Sequence, residues 1–375
     1  MFFVSALVIV LSFLVIEKVL HDRRLRRIPI RIHVNGTRGK STVTRLIASR
    51  LRAAGVRTVA KTTGDRPIFI GPDGREEAIV RRAPSRIQEQ VRLVKRAAAL
   101  GAQAIVVECM ALDPALQHAS ESRMIRSTLG VITNVRSDHF EIMGADLDGI
   151  AASLSRTIPE QGILVTADHR YLDYFRERAR KKKTQVLLAV NGEDNTDLFP
   201  EKFAIVKSVC ESVSLPAERR EIPQPERPVA WRIEYRGKDV YFVDAFSAND
   251  VESMHDIEEA LLQNDSYPRP LIALLNNRSD RPLRMRSFTS YLSGNRAYDF
   301  IGLVGSNAWL AERMLRKGGR TGGVFALSAR SADGVLEEIG RRAGASWYTV
   351  VGMGNYKSIG GAMRRLLETK GEPCS

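Results

Sequence analysis

A glycine-rich string between a strand and a helix constrains the fold of this chain more than any other feature. The string is Gly36-Thr-Arg-Gly-Lys-Ser41, preceded by alternating apolar residues from Ile28 to Val34 and followed by apolar residues at helical spacing up to Ala54. Such a turn directs backbone N–H groups and the positive end of the helix dipole at one point, which suits a phosphate. The sequence therefore predicts an α/β domain with a phosphate-binding loop.

Lys40 and Ser41 carry the chemistry that such a loop needs. Lys40 can place a point charge on terminal phosphates, and Ser41 can put its hydroxyl on the magnesium ion that nucleotides carry. The usual glycine five residues before the Gly-Lys pair is replaced by Val34. A chance string in a loop of no special role is the alternative, but its position between a strand and a helix favours phosphate binding.

The composition is that of an ordinary folded chain with an anionic partner. A length of 375 residues leaves room for two or three domains, and the net charge of +14 indicates a nucleotide, an acidic substrate or a membrane surface. A solvated basic surface is the alternative. No zinc-finger spacing or RNP-like aromatic run accompanies the charge, so we expect no nucleic acid partner. Cys109, Cys210 and Cys374 are too scattered for a disulfide framework and fit a reducing compartment.

An apolar run near the amino terminus predicts a membrane segment. The run from Phe2 to Ile16 is interrupted only by Ser5 and Ser12, and a basic cluster follows at residues 23–27. This cluster should hold the following domain on the cytoplasmic side. A cleaved signal peptide would carry its positive charge before the apolar run instead. We therefore expect a membrane anchor with cytoplasmic domains, and an interfacial or core helix is the alternative.

Polar side chains follow two further predicted strands. Glu108 ends one strand, and Asn134, Asp138 and His139 follow another. Ligands of an open parallel sheet bind beyond the carboxyl ends of its strands. We expect these side chains to meet the phosphate loop at one edge, with Glu108 placed to reach magnesium near Ser41. A surface carboxylate at position 108 and a structural histidine at position 139 are the alternatives.

Alternating strands and helices predict two α/β domains. An anchor at residues 1–20 precedes a doubly wound parallel domain at residues 21–215, which contains the phosphate loop. A proline-rich, charged stretch indicates a connector at residues 216–240. Residues 241–375 are predicted to form a second, smaller, Rossmann-like domain with a parallel sheet.

An ordered set of motifs resembles one enzyme family. The motifs are Val34-Asn-Gly-Thr-Arg-Gly-Lys-Ser-Thr42, Lys61-Thr-Thr-Gly64, Glu108-Cys-Met-Ala111, Thr133-Asn-Val-Arg-Ser-Asp-His139 and Asn277-Arg-Ser-Asp-Arg281. They resemble those of the Mur ligase and folylpolyglutamate synthase superfamily, ATP-dependent amide ligases that build peptidoglycan stems and folyl-polyglutamate. Within it, Phe246-Ser-Ala-Asn-Asp250, Gly352-Met-Gly-Asn355 and the short anchor are most similar to the catalytic subunits of poly-γ-glutamate synthases, which serve capsule biosynthesis.

The resemblance implies an ATP-dependent ligase that polymerises glutamate into poly-γ-glutamate through an acyl phosphate. It implies ATP and Mg²⁺ as cofactors, with Lys40, Glu108 and His139 catalytic and Ser41, Glu108 and His139 at the metal. It assigns nucleotide binding to Asn35, Gly36, Thr37, Arg38, Gly39, Lys40, Ser41, Thr42, Asn134, Asp244, Asn249, Arg278 and Asp280. The implied partners are glutamate, the growing polymer and integral membrane subunits at the cell membrane. The resemblance leaves open whether the protein forms a homo-oligomer.

The chain departs from the superfamily in two places. Many of these ligases carry a carbamate-modified lysine after the His-containing loop, whereas no lysine occurs here between Lys95 and Lys181. A second metal site must therefore be completed differently. Several relatives also have a longer segment before the Asp244 region, with an arginine contact to nucleotide, and this chain is short there. A Mur-like ligase for another amino acid or peptide is one alternative, and a P-loop nucleotide-binding protein without ligase activity is the other.

Overall fold

The chain forms two compact units, Met1–Pro225 and Glu226–Ser375. The computed structural model describes residues 2–63, 67–81, 86–136, 140–190, 200–214, 230–246, 248, 251–262 and 267–374. Three residues predicted to lie at the site, Asp138, His139 and Asn249, are outside these ranges. Each unit has its own sheet, and the α/β class predicted from the sequence is confirmed.

The described part of the first unit alternates strands with helices. Its helices are α1 Phe2–Arg26, α2 Lys40–Ala53, α3 Glu89–Ala99, α4 Pro114–Ala119, α5 Phe140–Met143, α6 Leu147–Leu154, α7 Leu172–Lys181 and α8 Pro200–Ser212. Its strands are β1 Ile30–Asn35, β2 Thr58–Thr62, β3 Ile68–Ile70, β4 Glu76–Ala78, β5 Ala104–Glu108, β6 Leu129–Ile132, β7 Ile163–Thr166 and β8 Gln185–Leu188. A π-helical turn, Ser120–Ile125, extends α4.

Within the described residues, the eight strands of the first unit form one sheet in the order β4-β3-β2-β5-β1-β6-β7-β8. β1 lies between β5 and β6 and is parallel to both, with Val34 opposite Glu108 and Val131. The prediction of a fully parallel sheet is wrong at one edge, because β3 pairs antiparallel with both β2 and β4. The physical reason is local. A tight turn, in which Gly74 N donates to Gly71 O at 3.0 Å, returns the chain at once without a crossover helix.

Helices cover both faces of this sheet. Val43 and Ile47 of α2 pack with Ile205 of α8 against one face. Leu93 of α3 packs with Leu25, at the end of α1, against the other. Each helix therefore buries its apolar stripe on the sheet, as the helical spacing after the phosphate loop predicted. The doubly wound arrangement brings the carboxyl ends of β1, β2, β5 and β6 to one edge.

Helix α1 extends beyond the apolar run. It includes an 18-residue window with a mean hydropathy of 2.4 and no buried residue, long and apolar enough to cross a membrane. The helix continues through the basic cluster to Arg26, six residues past the predicted end of the anchor. Its last turns contact the first unit, where Leu25 is buried and the ring of His21 hydrogen-bonds Met124 O at 2.8 Å. The apolar helix is thus continuous with the folded unit.

The described part of the second unit forms a mixed sheet in the order β13-β12-β11-β14-β10-β9-β15. Its strands are β9 Ala230–Tyr235, β10 Lys238–Asp244, β11 Leu271–Asn277, β12 Phe300–Gly305, β13 Val324–Ala326, β14 Trp347–Met353 and β15 Glu372–Cys374. Its helices are α9 Val251–Leu262, α10 Pro282–Gly294, α11 Ala308–Lys317, α12 Ala332–Ala343 and α13 Ile359–Lys370. β9 and β15 are antiparallel to their neighbours, so this sheet also differs from the parallel prediction.

The second unit begins before the predicted boundary at residue 241. Strand β9 falls inside the stretch predicted as a connector and forms a hairpin with β10. Arg236 and Gly237 join the two strands with φ values of 52° and 72°, the left-handed pair that a tight hairpin turn requires. The proline content upstream concealed the apolar alternation of this strand. Of the predicted connector, residues 216–229 lie outside the described ranges.

Candidate functional site

The glycine-rich loop adopts a backbone that its two glycines make possible. Gly36 and Gly39 have φ values of 127° and 77°, a region that residues with side chains rarely occupy. A Cβ added to Gly36 would lie 2.0 Å from Thr133 Oγ1, so the loop passes directly against the end of β6. Helix α2 begins at Lys40, immediately after Gly39. The first backbone N–H groups of this helix therefore belong to the loop, as a phosphate site requires.

Asn134 holds the loop in shape. Its Oδ1 accepts hydrogen bonds from Thr37 Oγ1 at 2.8 Å and from Arg38 N at 3.0 Å, and its carbonyl accepts from Thr37 N at 3.1 Å. Arg136 N also donates to Thr37 Oγ1, at 2.8 Å. Asn134 therefore lies against the predicted nucleotide loop, with its side-chain oxygen already bonded to it.

Lys40, Ser41 and Glu108 meet at the edge where the sequence placed them. The ammonium of Lys40 donates to Gly36 O at 2.7 Å and to Thr37 O at 3.1 Å. Ser41 Oγ donates to Glu108 Oε2 at 2.7 Å. These contacts agree with the parallel register of β1 and β5, which sets the loop beside the end of β5. Thr42 follows in the first turn of α2 and is partly exposed.

Thr63 completes this corner. Its backbone N–H donates to the same Glu108 oxygen at 2.7 Å, so one carboxylate joins the ends of β2, β5 and α2. The motif that begins at Lys61 was noticed in the sequence, but its contact with Glu108 was not predicted. The ammonium of Lys61 is buried and donates to Glu89 at 2.9 Å.

Lys202 is a candidate site residue that sequence reasoning missed. A Cβ added to Gly39 would lie 3.2 Å from Lys202 Cε, so the end of this side chain lies against the phosphate loop. The side chain of Lys202 reaches the loop because α8 packs on α2 in the shared core. Nothing in the local sequence around residue 202 signals this placement.

Asn35 points into the protein. It is 3% exposed, and its amide donates to Gln117 Oε1 at 2.9 Å and to Thr157 Oγ1 at 3.1 Å. Both of its N–H groups are thus bonded internally. Its predicted contact with nucleotide stays a prediction.

A buried ion pair lies behind the loop and was not predicted. His33 Nδ1 lies 2.7 Å from Glu121 Oε2, and both side chains are almost fully buried. The other oxygen of Glu121 accepts from Ser127 N at 2.9 Å and from Ser127 Oγ at 2.8 Å. Burial by itself lowers the pKa of His33, but its interactions with Cys109 and then with the carboxylate of Glu121 outweigh burial and raise this pKa to about 10. His33 is therefore positively charged at neutral pH.

In the second unit, the predicted site residues lie near strand ends. Asp244 ends β10, is buried, and accepts from Arg364 Nε at 2.5 Å. Arg278 and Asp280 follow β11 and form a two-pronged pair, Nε to Oδ1 at 2.9 Å and Nη2 to Oδ2 at 2.6 Å. The carboxylates of Asp244 and Asp280 are therefore each hydrogen-bonded to an arginine of the second unit.

Two of the three predicted metal ligands lie among the described residues. Ser41 and Glu108 supply two oxygen donors in contact, the kind of ligand that hard divalent cations prefer. No group of three His, Cys, Asp or Glu side chains that could hold a metal ion occurs in the part of the chain that the structure describes. His139, the predicted third ligand, is not in that part.

Comparisons with known proteins identify the family. The Mur ligase middle domain matches residues 34–225, and the poly-gamma-glutamate synthase CapB C-terminal domain matches residues 230–370. The chain belongs to the CapB family of Mur-type ligases. The predicted resemblance is confirmed.

Two curated proteins are similar along most of the chain. The capsule biosynthesis protein CapB of Bacillus anthracis is 36% identical over 288 residues, which is 72% of this chain and 62% of that protein. The PGA synthase CapB of Bacillus subtilis is 33% identical over 305 residues, which is 76% of this chain and 77% of that protein. This chain thus spans less than two thirds of the length of the anthracis relative.

Solved structures share the fold at low identity. MurF from Acinetobacter baumannii has a TM-score of 0.66 and 14% identity, covering 93% of this chain and 79% of that one. A bifunctional folylpolyglutamate synthase/dihydrofolate synthase, solved with Mn, AMPPNP and L-glutamate bound, has a TM-score of 0.60 and 15% identity over 92% of both chains.

Proposed function

We propose that this CapB-family protein polymerises glutamate into poly-γ-glutamate at the expense of ATP. The observation that carries the proposal is the contact of Ser41 with Glu108 beside the phosphate loop, in a chain whose second unit matches the CapB C-terminal domain. The description of the matching C-terminal domain as that of a poly-gamma-glutamate synthase, and the name of the Bacillus subtilis relative, PGA synthase, support glutamate as substrate.

The proposed reaction proceeds in two steps. A γ-carboxylate oxygen of glutamate attacks the γ-phosphorus of ATP, ADP leaves, and an acyl phosphate forms. The amine nitrogen of a second glutamate then attacks the acyl carbon, phosphate leaves with the carboxylate oxygen, and the amine gives up a proton. Charge concentrates on the phosphoryl oxygens during the first step, so donors already fixed around the phosphate contribute most to catalysis.

The residues of the first unit fit nucleotide and a divalent ion. We assign the phosphates to the backbone of residues 36–41 and to the ammonium of Lys40. Ser41 and Glu108 would hold Mg²⁺ with their contacting oxygens, and His139 stays the predicted third ligand. When bound, the ion would offset charge on the phosphoryl oxygens. The structure with Mn and AMPPNP supports this choice of cofactors. Asp244, Asn249, Arg278 and Asp280 stay predicted nucleotide contacts.

We also propose that α1 anchors the protein in the cell membrane, with the two units on the cytoplasmic side. The exposed apolar face of α1 and the basic residues at its end support this placement. One helix cannot form an export path, so we propose integral membrane partner subunits. The basic surface suits the polyanionic product.

The proposed function is tested by product analysis. The full chain, in membranes that contain its partner subunits, is incubated with labelled glutamate, ATP and magnesium, and the product is examined for γ-amide linkages. We expect polymer, and we expect glutamate to stimulate ATP turnover more than other amino acids do. Stimulation by aspartate or a peptide instead would refute glutamate as substrate while leaving a Mur-like ligase. ATP turnover without any amide product would refute the ligase.

Lys202 offers a test of the nucleotide site beyond the sequence motifs. Lys202→Met keeps an unbranched stem against Gly39 but removes the charge, so we expect the KM for ATP to rise about tenfold, the effect of losing one charged contact to phosphate. Lys207→Met, on the exposed side of the same helix, is the matched control. Steady-state ATP turnover measures both. Equal KM values for the two variants would show that Lys202 does not contact the nucleotide.

A further inference from the structure

A basic cavity lies where α1 joins the first unit. It measures about 300 Å³ and is lined by Asp22, Leu25, Arg26, Arg31 and Arg126. Three arginines and one aspartate leave its lining with a net charge of +2. Leu25, one of the lining residues, is buried and packs with Leu93 of α3. The lining therefore combines one buried apolar side chain with an excess of positive charge.

The cavity is far from the phosphate loop. Arg31 lies near the start of β1 and Arg126 precedes β6, whereas the loop follows the opposite end of β1. Arg31 and Asn35 are four residue steps apart along the extended strand, a distance of about 13 Å. The cavity is thus at the other edge of the sheet and takes no part in the proposed ligase chemistry.

The arginines of this cavity are held by the backbone and crowd one another. Arg31 donates through Nε to Arg126 O at 2.8 Å and through Nη1 to Ile28 O at 2.8 Å. Arg126 Nη1 donates to Asp22 Oδ1 at 3.2 Å, which leaves the other arginines without a carboxylate in the lining. Burial, followed by the charge of Arg126, lowers the pKa of Arg31, and the charge of Glu121 offsets only part of this effect. An anion in the cavity would relieve this repulsion.

The position of the cavity along α1 indicates the kind of anion. The apolar run of α1 ends at Ile16, and after Glu17 and Lys18 two more exposed apolar residues, Val19 and Leu20, precede the lining residues Asp22 and Arg26. At 1.5 Å per residue they lie roughly 3–9 Å beyond Leu20. The polar headgroup layer extends about 5–8 Å beyond the hydrocarbon on each side of a bilayer. With α1 in a membrane, the cavity is at the depth of lipid phosphates.

We infer that this cavity binds the phosphate of an anionic phospholipid and so fixes the first unit against the bilayer. The inference rests on the proposed membrane placement of α1 and not on the ligase chemistry. Guanidinium groups bind phosphate with two parallel hydrogen bonds, and basic pockets beside membrane helices suit anionic headgroups. A free phosphate ion or a carboxylate of the polymer would share the charge but not the position in the headgroup layer.

The test counts lipid that stays bound to the full chain. The protein is placed in nanodiscs of equal parts phosphatidylcholine and phosphatidylglycerol, released, and examined by native mass spectrometry. The pocket pair is Arg26→Gln with Arg126→Asn, since asparagine tolerates the left-handed backbone of residue 126, where φ is 47°. The control pair is Arg23→Gln with Arg27→Asn, which removes the same charge from exposed residues outside the cavity.

We expect the wild-type chain to retain phosphatidylglycerol in preference to phosphatidylcholine. Retention should fall by about tenfold or more in the pocket pair and change little in the control pair. Equal losses in both pairs would overturn the proposal, because they would show attraction to the surface charge alone. Displacement of the retained lipid by inorganic phosphate or by poly-γ-glutamate at matched concentration would also overturn it.

Two further measurements keep the outcomes separate. The wild-type melting temperature should rise with dihexanoyl phosphatidylglycerol and not with dihexanoyl phosphatidylcholine or inorganic phosphate, a result that does not depend on any variant folding. ATP turnover of the pocket pair should match that of the control pair. Failure of the chain to enter nanodiscs would refute the anchor, whereas absence of glutamate polymer would concern only the proposed function.

Discussion

Lys40→Ala is expected to abolish amide formation, with a loss of at least about 10²- to 10³-fold in kcat. The ammonium of Lys40 lies in the glycine-rich loop, 2.7 Å from Gly36 O, where it can offset the charge that develops on a transferring phosphate. The measurement is the amount of labelled glutamate polymer formed per unit of protein. ATP turnover with glutamate present should fall in parallel.

The control for this variant is Lys95→Ala. Lys95 is exposed on α3 of the same unit, so its replacement removes an equal charge without touching the loop. Both variants should keep the wild-type circular dichroism spectrum. Polymer at the wild-type level from Lys40→Ala would refute the assignment of this loop to the reaction.

Glu121→Ala is expected to destabilise the first unit by about 3–5 kcal/mol, because it leaves the charge of His33 buried without its carboxylate partner. Far-UV circular dichroism during urea unfolding follows the helices of both units. The three tryptophans, Trp231, Trp309 and Trp347, all lie in the second unit. Their fluorescence transition should therefore stay in place while the first unit unfolds at lower urea. The control is Glu177→Ala, which removes an exposed carboxylate and should shift neither transition.

The same pair predicts a dependence on pH with a definite sign. The pKa of His33 is raised from 6.5 in the unfolded chain to about 10 in the folded one. A raised pKa means that the folded state binds the proton more tightly, so this stabilisation is complete below about pH 6.5 and is lost as the pH rises towards 10. The difference in unfolding free energy between wild type and Glu121→Ala should therefore shrink from pH 7 to pH 10. A constant difference would contradict the charged pair.

Sequence reasoning predicted the geometry around the phosphate loop where local pattern and parallel strand order decide it. The alternation of apolar residues before Gly36 and their helical spacing after Lys40 indicate a strand and a helix that each bury one face. The structure has β1 and α2 at these positions. The rule that ligands bind beyond parallel strand ends placed Glu108 beside Ser41, and their oxygens are 2.7 Å apart. The sequence did not indicate that the side-chain oxygen of Asn134 would accept hydrogen bonds from the loop itself.

Predictions were less complete where long-range pairing decides the outcome. The edge hairpin of β3 and β4 is antiparallel, and β9 extends the second sheet into the predicted connector. Short strands carry too few residues for alternation to show which neighbour they pair with or in which direction. Turn geometry decided both cases, since a tight turn can only return the chain antiparallel.

The sequence by itself determined the phosphate loop, the order of strands and helices around it, the apolar helix that precedes it, and, through its motifs, the family. These features depend on neighbours along the chain or on shared motif order. Only the tertiary structure brought His33 to Glu121, Lys202 to Gly39 and Arg31 to Arg126. Each pair joins segments far apart in the sequence. Hydrophobic periodicity records which face of a segment is buried, but the partner of a buried charge depends on how whole elements pack.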